Sequence, residues 1–148
     1  AMMASTTQLN TPGKDLSAID GVHAITDVTG FGLLGHAREM ALGAQLSVRI
    51  NITSVPLLPN VETLASQGFI TGASGRNWAG FGDDVHLADN ISDTTKALLC
   101  DPQTSGGLLV ACDGDAVEKV MHIFHSHGFA QATVIGDLQE GSPGVYVA

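Results

Sequence analysis

The sequence predicts an α+β domain, a mixed β-sheet flanked by helices. Three observations carry that reading. Gln45 to Ile52 alternates strictly between apolar and polar residues, the pattern of a half-buried strand. Phe31 to Leu42, and the stretch after Asp115, instead repeat apolar residues at helical spacing. Strand-like and helix-like segments then intermix without a regular βαβ alternation, which favours α+β over a doubly wound sheet.

Met2 to Leu9 is helix-compatible and ends at the turn-rich Asn10-Thr11-Pro12-Gly13. His23 to Val28 reads as a short strand running into Thr29-Gly30-Phe31-Gly32. In the helix that follows, Leu33, Leu34, Ala37, Met40 and Ala41 share one face, Arg38 and Glu39 lie opposite, and Gly43 is the expected stop. The alternating strand turns Leu46, Val48, Ile50 and Ile52 inward and Gln45, Ser47, Arg49 and Asn51 outward. Pro56 and Pro59 mark a loop before a short helix around Val61 to Gln67, and the glycine-rich run Gly68 to Asn90 reads as loop with short helical pieces. Ser92 or Asp93 caps a helix through Leu99. After the Asp101-Pro102 break, Gly106 to Cys112 is a continuous apolar run, expected to be a strand covered on both faces. Asp115 and Glu118 have the spacing of a capping box, ahead of a helix with Val117, Val120, Met121 and Phe124 on one face. Ala132 to Leu138 and Val145 to Val147 read as the arms of a hairpin around Gly141-Ser142-Pro143-Gly144.

The 148 residues make one domain, and 44% apolar content is enough for a core. Six basic against fifteen acidic side chains give a net charge of -9. That excludes a nucleic-acid module, because too few cations exist to neutralise a row of phosphates. A chain so acidic meets a nucleotide only through backbone N–H groups or a divalent metal. Cys100 and Cys112 have no ligand-type spacing and read as reduced, buried thiols, which fits a cytoplasmic setting. No apolar stretch approaches the roughly 20 residues of a membrane span, and no signal-peptide pattern opens the chain. Ala1 reads as a cloning remnant, and the abrupt start as that of a domain cut from a longer protein.

Two segments carry the chemistry. In Thr26-Asp27-Val28-Thr29-Gly30-Phe31-Gly32, a strand end delivers a carboxylate, glycines follow, and a helix starts. Glycines at a helix start let phosphate oxygens approach free N–H groups, and Asp27 is placed to hold a metal bridging to them. The alternative is a plain strand-to-helix turn with Thr29 as its N-cap. His36 reads as a hydrogen-bonded packing histidine. The second segment, Asp101-Pro102-Gln103-Thr104-Ser105-Gly106-Gly107, either forms an anion-binding nest or shapes the entry to the next strand. Between them, Gly75-Arg76-Asn77-Trp78 sets Arg76 to reach an anion or a partner domain, or to make a local salt bridge. His122, His125 and His127 read as a solvated helix end rather than a metal site, and Asp83 and Asp84 as loop carboxylates.

Ile25 to His36, followed about 70 residues later by Asp101 to Leu109, resembles the selenophosphate synthetase (selenide, water dikinase) family. Gly75-Arg76-Asn77 and Val134-Ile135-Gly136 fit the same pattern. The resemblance is to the C-terminal domain alone, within the aminoimidazole-ribotide synthetase-like superfamily, and spans nearly the whole chain. It implies an α+β fold and a two-domain, homodimeric parent that uses Mg²⁺ and ATP with selenide. The parent's N-terminal nucleotide-binding domain would hold the reactive Cys or selenocysteine, the essential Lys and most metal-binding Asp residues. The resemblance gives Asp27 the role of metal ligand and makes Thr26, Thr29, Gly30 and Gly32 its flanking, cofactor-binding residues, which would hold that carboxylate and the nearby backbone at the cleft. It assigns no catalytic residue to this domain, which alone would be inactive. The other readings are a C-terminal domain of another ATP-dependent superfamily member, and a standalone, non-catalytic binding module.

Overall fold

The computed structural model describes residues 6–148; Ala1 and the start of the helix-compatible stretch from Met2 lie outside the described residues. In chain order the elements are α1 (Pro12–Leu16), β1 (Val22–Asp27), α2 (Gly32–Ala44), β2 (Ser47–Ile50), α3 (Val61–Ser66), α4 (Gly72–Phe81), β3 (Val85–Leu87), α5 (Asp93–Leu99), β4 (Leu108–Cys112), α6 (Val117–Ser126), β5 (Gly136–Gln139) and β6 (Gly144–Val147). Single 3₁₀ turns occupy Ile52–Ser54, Gly82–Asp84 and Gly114–Ala116.

The alternating segment sits inside a four-stranded sheet ordered β3-β6-β2-β5. β2 runs parallel to β6 and antiparallel to β5, so the sheet is mixed, as expected. β1 and β4 form a separate antiparallel pair that sets Asp27 opposite Leu108. One core cluster packs Leu34, Ala37 and Ala41 of α2 onto Val48, Ile50, Val145 and Val147 of the larger sheet, with Phe81, Leu99 and Cys100 closing it. A second joins Leu16, Val120 and Phe124 against Val22, Ile25, Leu108 and Val110 of the β1–β4 pair. Among the described residues, no helix is long and apolar enough to cross a membrane.

Several expectations are corrected. The last two strands are not a hairpin, because β2 lies between them. Val145 and Val147 stand beside Val48 and Ile50, so β6 gains apolar partners on the buried face that pairing with β5 would not offer. Gly136 opens β5 because a Cβ there would overlap the Arg49 carbonyl. Ser47 is buried instead of outward; its hydroxyl donates to the Ser142 carbonyl at 2.7 Å. Gly43 does not stop α2, since Gln45 takes the left-handed conformation (φ 57°) one residue past the helix end. Asp115 forms no capping box, because it sits in the 3₁₀ turn and α6 begins without a side-chain cap. β4 is only half-buried along most of its length, since its sheet is two strands wide. β3 was not anticipated, as three residues are too short to show a period of two. Ser92 is the cap of α5, accepting from the Thr95 N–H at 3.0 Å.

Leu34→Ala removes a fully buried side chain and is expected to cost about 2–5 kcal/mol. Gly43→Ala meets nothing within 4 Å and is expected to stabilise by up to about 1 kcal/mol. Urea denaturation midpoints moving in opposite directions would check both.

Candidate functional site

The β1–β4 pairing carries the end of β1 to the entry of β4, and with it the two distant motif segments. The Val28 N–H donates to the Gly107 carbonyl at 2.9 Å, and the Gln103 N–H to the Thr29 carbonyl at 3.0 Å. Asn77 of α4 joins them from a third direction, its amide donating to the carbonyls of Gly30 (2.8 Å) and Cys100 (2.9 Å). Asn10 donates to the Gly106 carbonyl at 2.8 Å. Asp101 is held in place too: its Oδ1 accepts from the hydroxyls of Thr71 (3.0 Å) and Ser74 (3.2 Å).

Glycine is required where these backbones touch. At Gly32 the backbone is left-handed (φ +68°) and a Cβ would stand 2.7 Å from the Cys100 carbonyl carbon, so α2 can start only by lying against the end of α5. At Gly106 a Cβ would overlap the Val28 carbonyl oxygen.

Asp27 ends β1 with an exposed carboxylate, and no described residue bonds or pairs with its side chain. The Thr26 hydroxyl donates to the Asp27 carbonyl at 3.3 Å. Thr29 is not an N-cap: that position falls on Phe31, which makes no side-chain cap, because the Thr29 hydroxyl is turned to His36 Nε2, 3.1 Å away. Gly30 is exposed in open space, whereas Gly32 is buried. His36 is a bonded, packed histidine, 6% exposed, with Nδ1 2.9 Å from Glu39 Oε2. Arg76 enters no ion pair among the described residues and lines a cavity of about 200 Å³ with Phe31, Arg38, Glu39 and Asn77. Asp84 is paired with Arg38 at 2.6 Å. His127 is bonded at both ring nitrogens, to Asp15 (3.0 Å) and Thr11 (3.3 Å), and so ties α6 to α1.

Sequence reasoning singled out neither Thr71 and Ser74 nor the bridging task of Asn77. Their one signal was local: Thr71 caps α4 by accepting from the Ser74 N–H, and Ser74 and Asn77 stand three residues apart on one helix face. An unpartnered carboxylate at a glycine turn is the donor a hard divalent cation takes, and Mg²⁺ commonly uses one or two carboxylates together with substrate phosphates. Among the described residues no group of three or more His, Cys, Asp or Glu side chains is placed to hold a metal. Burial pushes the Cys100 thiol up to about 11. Cys112 is also raised, by burial and then by Asp113 and Asp115.

The family described as "AIR synthase related protein, C-terminal domain" matches residues 8–148. Over 147 residues the chain is 58% identical to a selenide, water dikinase of Pseudomonas straminea and 56% identical to one of Burkholderia orbicola. Each match covers 99% of this chain but only 41% and 42% of the relative, so the chain spans about two fifths of their length. Among solved structures, the hydrogenase maturation protein HypE of E. coli superposes with a TM-score of 0.68 at 21% identity, over 93% of this chain and 35% of that one. Thiamine-monophosphate kinase of Stenotrophomonas maltophilia superposes at 0.55 with 17% identity, over 86% of this chain and 31% of that one. These two likenesses show the fold.

Asn77→Ala strips two carbonyls of their donor and is expected to cost about 2 kcal/mol. Amide hydrogen exchange should accelerate at Val28 and Gln103 more than in β2. With its thiol neutral and fully buried, Cys100 should resist a disulfide reagent at pH 8 in the native chain and react once unfolded.

Proposed function

The chain belongs to the AIR synthase related protein C-terminal domain family, and we propose that it is the C-terminal domain of a selenide, water dikinase. Such an enzyme makes selenophosphate from ATP, selenide and water, releasing AMP and phosphate. The observation that carries this reading is identity of 49–58% to proteins of that name across essentially the whole of this chain. The junction of its two motif segments supports it, because it ties the segments together and leaves one carboxylate unpaired among the described residues.

In this reading Asp27 is the ligand that this domain contributes to a Mg²⁺ ion on the ATP phosphates. When bound, that ion would neutralise phosphate charge beside a domain whose own net charge is -9. Thr26, Thr29, Gly30 and Gly32 hold the turn in which Asp27 sits. Gly30 leaves its surface open to phosphate oxygens, and Gly32 sets the path of the backbone from beneath. The Asp101–Gly107 loop lines the cleft or the domain interface. The remaining ligands, the nucleotide-binding surface and the reactive nucleophile belong to an N-terminal domain of a homodimeric parent. Closure of the two domains then completes the metal site, and the present domain alone is inactive and binds Mg-ATP weakly. Its protonated thiols are at ease in the cytoplasm.

Asp27→Asn in the full-length enzyme keeps the shape of the side chain and removes one charge. Selenide-dependent ATP consumption is expected to fall on the order of 100-fold, about 3 kcal/mol of transition-state stabilisation, with little change in melting temperature. The loss should be greatest at low Mg²⁺. Near-normal turnover at limiting Mg²⁺ would overturn the metal-ligand assignment.

A further inference from the structure

The Gly75-Arg76-Asn77 motif leaves one cation free. Asn77 is committed to the carbonyls of Gly30 and Cys100, whereas the Arg76 guanidinium has no hydrogen-bond or ion-pair partner among the described residues. Arg76 lines a cavity of about 200 Å³, and Arg38 of α2 lines the same cavity. Two of the chain's three arginines therefore meet at one small space, in a sequence with fifteen acidic side chains against six basic ones. Two like charges at one cavity repel, and an anion between them removes that repulsion.

The walls keep that space open. Asn77 ties α4 to the turn before α2 through the Gly30 carbonyl (2.8 Å), which fixes the helices that carry the two arginines against each other. Gly35 adds no side chain between them, since a Cβ there would stand 3.1 Å from the Phe81 ring and overlap the Phe31 Cβ. Phe81 is 8% exposed and belongs to the larger core cluster, so that wall does not yield. Arg38 donates from Nε to Asp84 Oδ2 at 2.6 Å, and its terminal nitrogens have no partner among the described residues. A guanidinium presents donors along more than one edge, so Asp84 takes one edge and leaves another for a second oxyanion. Glu39, the acidic side chain on the lining, has its Oε2 2.9 Å from His36 Nδ1. These two carboxylates keep the affinity for an anion modest.

We propose that this cavity is a subsite for a free phosphate ion, held between the guanidiniums of Arg76 and Arg38. Guanidinium matches an oxyanion with paired, charge-assisted N–H donors, which a lysine ammonium does not reproduce. The volume sets the size of the guest. Pockets for larger organic ligands run to roughly 300–1,000 Å³, so this one suits an ion of phosphate size and not a nucleotide. Orthophosphate is a product of the reaction proposed above, and weak binding suits a product that must leave. Only the origin of the ion rests on that reading; its binding does not.

In chain labelled with ¹⁵N at arginine, the Nε–H signals of Arg38, Arg49 and Arg76 report on all three arginines. Titration with sodium phosphate near neutral pH, with ionic strength held constant by sodium chloride, is expected to shift Arg38 and Arg76 together. Both should saturate with one dissociation constant, on the order of 1 mM. Arg49, exposed on β2 and absent from the cavity, should stay unshifted. A response that never saturates, or one that Arg49 shares equally, is surface screening and overturns the site. Arg76→Gln should weaken the binding read at Arg38 about tenfold, the loss of one charged hydrogen-bonding partner; unchanged binding overturns the proposal. Arg76→Lys keeps the charge without the planar fork and should also weaken binding, and native affinity in that variant overturns the paired-guanidinium geometry. AMP should bind less tightly than phosphate, and tighter binding of AMP overturns the size argument. None of these readouts involves Mg²⁺ or turnover, so failure here and failure of the Asp27 reading are told apart.

Discussion

The rest of the molecule depends on a contact between backbones. The turn after β1 and the loop before β4 approach so closely that Gly32 and Gly106 leave no room for a Cβ. Ladder-like hydrogen bonds from Val28 and Gln103 cross the gap. Close backbone contact of this kind is unforgiving, since a methyl group at either glycine must displace main chain rather than a flexible side chain. Asn77 then supplies both facing carbonyls with a donor, which joins α4 to the same point.

Helix α2 links that junction to the core. Leu34, Ala37 and Ala41 bury its inner face against the larger sheet, while Phe31, Gly35 and His36 shape the ground behind the Asp27 turn. Packing energy therefore holds the helix start at a fixed height above β1. The exposed carboxylate of Asp27 inherits that position without bonds of its own. A side chain left unpaired on a rigid turn is ready for a ligand without first breaking a protein contact.

Much of the local structure was legible in order of residues. The alternation around Val48 and Ile50 identified β2, the apolar stripe of α2 identified a helix, and Ser92 marked the start of α5. The two glycine motifs were legible as special, because glycine and small polar residues cluster there beyond what turns need. Failures came where a local signal was overruled from a distance. Gly43 has the character of a helix stop, yet Ala41 and its neighbours are packed well enough to carry the helix past it. The Val145 segment has the character of a hairpin arm, yet the apolar face of β2 outcompetes the nearer strand as a partner.

What the sequence determined by itself is the set of local periodicities, the α+β class and the two motif segments, all of which depend on residues near one another along the chain. Only the tertiary structure decided that the two segments form one junction, that Asn77 bridges them, and that His36 stands between Thr29 and Glu39. The reason is physical. Asp27 and Leu108 become neighbours through strand pairing, and the pairing of β1 with β4 is chosen by which faces can be buried together around Leu16, Val120 and Phe124. That choice is a property of the whole core, and no stretch of the chain carries it alone.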